Sequence, residues 1–79
     1  MKIEVRLFSF LCKWVGKDEN RYFFSTEVGE GATVLDLLAA LHIPQNIPKV
    51  ILINGMVKDE RAPLQEGDEV SILPPVEGG

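Results

Sequence analysis

One amphipathic helix is predicted in the middle of the chain, and it limits the folds that the chain can adopt. Its apolar residues recur at positions i, i+3, i+4 and i+7: Val34, Leu37, Leu38 and Leu41. Thr33 can cap the start of this helix together with Asp36, and Pro44 prevents much continuation past His42. Because a helix with one apolar face must bury that face, we expect it to pack across a sheet.

Strand-like segments surround this helix. Residues 2–7 alternate apolar with charged side chains, as a half-buried strand does. Further strands are predicted over residues 21–28, 49–53, 56–57 and 69–73. The expected fold is therefore of the α+β class, with a mixed sheet of about five strands packed on one main helix. Its first and last strands should be parallel neighbours, since the connection between them contains the helix.

Two connecting segments carry recognisable signals. A short helical turn ending at Gly16 is predicted from the spacing of Phe10, Leu11, Trp14 and Val15. Asn54-Gly55 is a two-residue hairpin signal. The sequence of the second strand does not indicate which of its sides faces inward.

Length and composition exclude several classes of function. At 79 residues the chain is one domain, too small to enclose a large active site. Its formal net charge of −4 disfavours a nucleic-acid partner. Cys12 is the only cysteine, so no disulfide can form within the chain. No segment has the length of a membrane span, and we expect a soluble cytoplasmic protein without a membrane partner.

The chain ends in Pro74-Pro75-Val76-Glu77-Gly78-Gly79. Glycine has no side chain, so a Gly-Gly end can enter a channel too narrow for other residues and present the carboxylate of Gly79. The prolines keep the backbone extended and separate the tail from the last strand. We therefore predict a folded domain over residues 1–75 and a flexible tail over residues 76–79. The site is predicted to comprise Gly79 and the residues that lead to it: Pro75, Val76, Glu77 and Gly78.

Two apolar residues occupy strand positions where the pattern predicts polar ones. Phe8 continues the charged side of the first strand, and Leu73 continues the polar side of the last. If these strands are parallel neighbours, Phe8 and Leu73 meet where the tail leaves, and we expect an exposed pair that anchors a partner protein. Met56 is a weaker candidate for partner binding. The alternative is that Phe8 and Leu73 pack beneath the loop that holds Trp14 or lie singly on the surface.

The remaining reactive side chains form no recognisable catalytic or metal site. Cys12 could carry a persulfide, but no second cysteine or neighbouring histidine is present to activate it, so an inert thiol is expected. His42 has no second ligand beside it, which argues against a metal site. Residues 29–31 lack the lysine of a phosphate loop. The acidic pairs at 59–60 and 68–69 are expected to be solvated charges that could steer a basic partner. No bound cofactor is expected.

The order of the elements is the β-grasp order of ubiquitin-like proteins, and the sequence adds a more specific resemblance. Three segments resemble the small subunit of molybdopterin synthase and related sulfur carriers: Val5-Arg6-Leu7-Phe8, Glu66-Gly67-Asp68-Glu69-Val70 and the Pro-Pro-Val-x-Gly-Gly end. This resemblance spans nearly the whole chain. It departs from the family at residues 12–16, where relatives carry an Arg-Glu-Leu type sequence. This difference bears on the identity of the partner protein more than on the chemistry of the C-terminus.

The resemblance implies a covalent sulfur carrier that is itself non-catalytic. An E1-like adenylating enzyme would use ATP to activate the carboxylate of Gly79, and a sulfur donor system would convert it into a thiocarboxylate. The tail would then enter the large subunit of molybdopterin synthase, which would hold the catalytic groups. The sulfur would be used for molybdopterin or its tungsten-containing equivalent.

Two other functions use the same features. A ubiquitin-like modifier would join Gly79 to lysines of other proteins through an isopeptide bond. A noncovalent β-grasp binding module would carry its Gly-Gly end incidentally. The first alternative shares the activated glycine with the sulfur carrier, so only the chemical fate of Gly79 separates them.

Overall fold

A computed structural model describes residues 1–75 of the chain. The elements in chain order are β1 (Lys2–Phe8), a 3-10 helix (Ser9–Val15), β2 (Arg21–Glu27), α1 (Val34–Ala40), β3 (Val50–Ile53), β4 (Met56–Lys58) and β5 (Glu69–Leu73). The predicted order of strands and helix is confirmed. No helix in this part of the chain is long and apolar enough to cross a membrane.

All the strands belong to one mixed sheet with the order β2-β1-β5-β3-β4. β1 pairs antiparallel with β2 and parallel with β5. β3 lies on the other side of β5 and pairs antiparallel with both β5 and β4. The predicted parallel pairing of the first and last strands is confirmed. It places the C-terminal ends of β1 and β5 side by side, at the point where the tail begins.

α1 begins at the predicted capping box. The Thr33 Oγ1 accepts a hydrogen bond from the Asp36 N–H at 3.4 Å, and the Asp36 Oδ2 accepts one from the Thr33 N–H at 2.9 Å. The helix ends at Leu41, and His42 leaves it with a φ of 60°. The stripe predicted from the sequence is buried: Val34, Leu37, Leu38 and Leu41.

The hydrophobic core lies between α1 and one face of the sheet. Alternating residues of three strands fill it: Ile3, Val5 and Leu7 of β1, Ile51 and Ile53 of β3, and Val70 and Ile72 of β5. Because side chains alternate along a strand, the intervening residues point away from α1. We call the surface that they form the outer face.

β2 shows the same alternation, which establishes the inward-facing side of this strand that the sequence did not indicate. Tyr22, Phe24 and Thr26 are partly buried on the side of α1, and the rings of Tyr22 and Phe24 stack with centroids 5.3 Å apart. The outer face therefore receives the exposed residues of β2: Arg21, Phe23, Ser25 and Glu27.

The 3-10 helix confirms a helical turn ending at Gly16, whose φ of 77° caps it in the left-handed conformation. It buries Leu11 and Cys12. Phe10 and Trp14 are 38% and 40% exposed, so the predicted apolar set is only partly buried. A 3-10 helix has about three residues per turn, so the residues on its core-facing side differ from those that α-helical spacing predicts.

The Asn54-Gly55 hairpin is confirmed, with φ values of 52° and 85° that fit a type I′ turn. The Asn54 side chain also joins this turn to the start of β5. Its Nδ2 donates to Asp68 Oδ1 at 3.0 Å, and its Oδ1 accepts from the Glu69 N–H at 3.0 Å. These bonds hold β5 and the β3-β4 hairpin together at the end of the sheet opposite the tail.

Candidate functional site

β5 ends beside the end of β1, and the chain continues from there toward its C-terminus. Leu7 pairs with Ile72 in the parallel register, so Phe8 and Leu73 are the next residues of their strands. Both side chains lie on the outer face and are half-buried. Pro75 is exposed and is the last residue that the structure describes. The rest of the predicted reactive end lies outside the described residues: Val76, Glu77, Gly78 and Gly79.

Phe8 and Leu73 were expected to be exposed, and the structure corrects this to partial burial. The Phe8 ring meets the Phe23 ring edge-on, with centroids 5.7 Å apart and an interplanar angle of 61°. Leu73 lies opposite Val50 in the β3-β5 ladder. Each is covered on one side by an apolar neighbour on the adjacent strand. The rest of each side chain is exposed and can contact another protein.

Apolar residues from other strands extend this pair into a larger surface. Phe23 is 51% exposed beside Phe8, and Val57 is 72% exposed at the far edge of the sheet. Leu52 lies between Ser71 and Val57 in the register. We call the surface the apolar patch and define it by its residues: Phe8, Phe23, Val50, Leu52, Val57 and Leu73. It covers the tail-side half of the outer face.

Sequence reasoning missed the β3 contribution to this patch. The sequence predicted a strand over residues 49–53 but did not indicate that two of its side chains, Val50 and Leu52, would be only half-buried. A continuous apolar run was the available signal, since a strand of an antiparallel sheet with one solvated face normally alternates apolar with polar residues. Which residues of this run are exposed depended on the order of the strands, which places β3 beside β5.

Charged and polar side chains lie between Phe23 and Leu52 in the register and on the side of the patch away from the end of β5. Arg6 Nη2 lies 2.8 Å from Glu69 Oε2, and its guanidinium lies over the Phe23 ring, 5.2 Å from the centroid. Ser25 Oγ donates to Glu4 Oε2 at 2.8 Å. Both side chains of the Arg6–Glu69 pair are about 40% exposed, so it contributes little to stability. These groups form a polar rim that can orient a docking partner.

Met56 lies on a different surface. It pairs with Ile53, whose side chain belongs to the core, so Met56 points to the side of α1 and is 64% exposed. Phe8 and Leu73 are on the opposite face of the sheet. The three candidates for partner binding therefore do not form one contact surface.

The surroundings of Cys12 agree with an inert thiol. The side chain is fully buried, and its Sγ donates a weak hydrogen bond to the Leu7 carbonyl at 3.5 Å. Burial raises the pKa of the thiol, and the nearby charge of Glu19 raises that pKa further. Because the thiolate is the nucleophilic form, a buried thiol with a raised pKa reacts slowly.

Several acidic side chains hold turns, although we expected them to be free solvated charges. Asp68 Oδ2 accepts from the Gln65 N–H at 2.8 Å, and Asp59 Oδ1 accepts from the Arg61 N–H at 2.8 Å. Glu60 accepts from Gln45 Nε2 at 2.8 Å. No three histidine, cysteine, aspartate or glutamate side chains converge as metal ligands within residues 1–75.

The sheet order, the parallel pairing of β1 with β5 and the helix packed on one face of the sheet define a ubiquitin-like β-grasp protein. A ubiquitin-like protein from Caldiarchaeum subterraneum shares the fold with a TM-score of 0.52 at 18% identity, covering 99% of this chain and 100% of that one. SAMP1 from Haloferax volcanii superposes with a TM-score of 0.72 at 25% identity and full coverage of both chains. The predicted fold is confirmed.

Within this class the chain belongs to the ThiS family, whose model matches residues 5–79. The predicted membership of the sulfur-carrier family is thereby confirmed. Another similar structure is a complex of subunits 1 and 2 of the molybdopterin-converting factor from Helicobacter pylori, with a TM-score of 0.60, 28% identity and full coverage of both chains. Among curated proteins, none matches the chain.

Proposed function

We propose that this chain is a sulfur carrier that is adenylated and then thiocarboxylated at Gly79. It donates this sulfur in the synthesis of molybdopterin or its tungsten-containing equivalent. The observation that carries the proposal is the family match, which extends through the terminal Gly78-Gly79. The likeness to the Helicobacter pylori converting factor, whose subunit 1 is in complex with subunit 2, supports a large-subunit partner.

The chemistry at Gly79 consists of two substitutions. A carboxylate oxygen attacks the α-phosphorus of ATP, and pyrophosphate leaves, which gives an acyl-adenylate. A sulfur nucleophile at the oxidation level of hydrosulfide then attacks the acyl carbon, and AMP leaves with the bonding electrons. The product is a thiocarboxylate in which one sulfur has replaced one oxygen. An E1-like enzyme binds the ATP in this scheme, and the carrier contributes the carboxylate.

The apolar patch gives the carrier a way to dock. A partner that covers Phe8 and Leu73 is held at the end of the sheet from which the tail leaves. The extended prolines then direct the tail into that partner, and Gly78 and Gly79 pass where a side chain would not fit. The groups that activate the sulfur acceptor belong to the large subunit.

The test is the intact mass of the protein after incubation with a cognate adenylating enzyme, ATP and a sulfide source. We expect a gain equal to the mass of one sulfur minus one oxygen, located in the C-terminal peptide. Cys12→Ala is the matched variant, and it should show the same gain. A persulfide on Cys12 would instead add a whole sulfur atom and would disappear in this variant. Either that result or an unmodified C-terminus refutes the proposal.

A second function has one specific observation in its favour. SAMP1, which has a TM-score of 0.72 and 25% identity to this chain, is named a small archaeal modifier protein in a second crystal structure. A modifier would begin with the same adenylation but end on the ε-amino group of a lysine. Peptide mass spectrometry of conjugates from the native host distinguishes the two. Isopeptide-linked Gly79 without any thiocarboxylate would favour the modifier.

A further inference from the structure

β2 is an unprotected edge of the sheet. It lies at one end of the strand order and pairs with β1 residue for residue over its whole length, without a bulge. Its sequence, Arg21–Glu27, contains neither proline nor glycine and is rich in β-favouring residues. The opposite edge strand, β4, is only three residues long. Soluble proteins normally shorten, bend or cover such an edge, because its free backbone groups can pair with another strand.

The hydrogen bonds at both ends of β2 identify the backbone groups on its free side. Val28 N–H donates to the Met1 carbonyl at 2.9 Å, and the Met1 ammonium donates to the Val28 carbonyl at 2.6 Å. At the other end, Ser9 N–H donates to the Asn20 carbonyl at 2.6 Å. Since pairing alternates along an antiparallel strand, the even-numbered residues of β2 bond to β1. The odd-numbered residues therefore direct their N–H and C=O groups to the free edge: Arg21, Phe23, Ser25 and Glu27.

We propose that β2 pairs antiparallel with β2 of a second copy of this chain, about a two-fold axis at Phe24. In this register Arg21 lies opposite Glu27 of the second copy, and Phe23 lies opposite its Ser25. These are all odd-numbered residues, so every free N–H and C=O group of the strand acquires a partner. The two sheets become one continuous sheet, and the contact is isologous, as in most homodimers.

The charges of β2 favour this register and favour a second copy of the chain as the partner. Arg21 and Glu27 are both exposed on the outer face, so pairing about Phe24 forms two symmetric ion pairs across the seam. A shift of one residue would oppose backbone groups that already bond to β1. A shift of two residues would shorten the ladder and leave Arg21 or Glu27 without its counterpart. The strand is therefore complementary to itself in one register.

The remaining side chains fit the same seam. Phe23, 51% exposed in the single chain, is covered by the second copy on the outer face. On the inner face Phe24 meets its own counterpart, next to the stacked ring of Tyr22. The Glu27 side chain can turn toward Arg21 of the second copy, because it is 80% exposed. Its Oε2 lies 3.7 Å from the Met1 ammonium, which is too long for a strong hydrogen bond. The net charge of −4 on each copy opposes association, so the dimer is expected to be weak.

This dimer does not depend on the chemistry of Gly79, although the second copy covers Phe23, which is one residue of the apolar patch. β5 lies two strands from the seam, about 10 Å away, so the dimer leaves Leu73 and the end of β5 accessible.

The first test is sedimentation equilibrium of the full chain between about 10 μM and about 1 mM, with charge inversions at the seam. The wild-type mass should rise from one chain toward two. Arg21→Glu alone and Glu27→Arg alone should each weaken association about tenfold or more, because both ion pairs become like-charge contacts. An equimolar mixture of the two variants should associate again, and so should the chain that carries both changes.

The second test removes one edge hydrogen bond without touching the β1-β2 ladder. Ser25→Pro deletes an N–H that faces the free edge, so the monomer should keep its circular dichroism spectrum while dimerisation is lost. Ser25→Ala is the control, since it removes the Oγ contact with Glu4 but keeps that N–H. Wild-type chain that remains monomeric throughout, or a mixture of inverted variants that fails to associate, overturns the proposal. So does dimerisation that survives Ser25→Pro.

Discussion

Replacing either Phe8 or Leu73 with lysine should weaken docking to a large synthase subunit without unfolding the carrier. Both side chains are half-buried in the free chain, so each has about 1 kcal/mol of apolar burial left to gain in a complex. Lysine removes that gain and places an ammonium group in an apolar contact. Together these costs amount to about 2–4 kcal/mol. The dissociation constant should rise about 30- to 1,000-fold.

The assay is isothermal titration calorimetry of the carrier against the large subunit from the same genome. Thermal unfolding of each variant must be measured alongside, because Phe8→Lys also removes the edge-on contact with Phe23. Phe8→Ala provides a graded comparison: it loses only the apolar contact and should weaken binding about fivefold.

Met56→Lys is the matched control. It makes the same chemical change at a residue that is 64% exposed, but on the face of the sheet that carries α1. If the outer face docks, this variant binds like the wild type. Equal weakening by Met56→Lys and Leu73→Lys would show that the contact is not confined to the outer face. Unchanged affinity in both Phe8→Lys and Leu73→Lys would remove the apolar patch from the docking surface.

Further predictions concern the tail, the thiol and two stabilising contacts. One residue added after Gly79, or Gly78→Trp, should abolish thiocarboxylation in the mass assay while the melting temperature stays unchanged; sulfur accepted at an internal position would contradict the terminal chemistry. Because the pKa of Cys12 is raised in the folded chain, the unfolded chain loses this proton first, and the free energy of unfolding should fall as pH rises above about 8.5. Urea unfolding at several pH values tests this, and Cys12→Ala should remove that part of the dependence. Thr33→Ala should cost about 1 kcal/mol by removing the helix cap, measured by urea unfolding against Thr33→Ser, which keeps the hydroxyl. Lys49→Met should cost about 1–3 kcal/mol, because the Lys49 ammonium donates to three backbone carbonyls at 2.7–3.3 Å; unchanged stability would show that these bonds add nothing net.

Most of the fold could be predicted from local signals in the sequence. The helical stripe and its Thr33 cap, the Asn54-Gly55 turn and the alternation in β1 each act over a few neighbouring residues, so their effect is visible in the sequence itself. The predicted pairing of β1 with β5 also succeeded, because a helix-containing connection allows parallel strands. The Gly-Gly end, together with these elements, indicated the carrier family without any tertiary information.

The candidate surface could be predicted only in part. Phe8 and Leu73 were identifiable because each breaks the polar alternation of its own strand. Val50 and Leu52 carry no such mark, since they lie within a run that is apolar throughout. Their exposure follows from the place of β3 beside β5 in an open sheet, and strand order is a long-range property.

What the sequence determined by itself was the set of elements, their order and the Gly-Gly end on which the proposed chemistry depends. The tertiary structure decided which surfaces those elements share. It placed Met56 on the opposite face from Phe8 and Leu73, gathered the apolar patch from all five strands and left β2 with a free edge. The physical reason is that periodicity fixes the direction of a side chain relative to its own strand. The neighbour that covers it depends on packing between segments far apart in the chain.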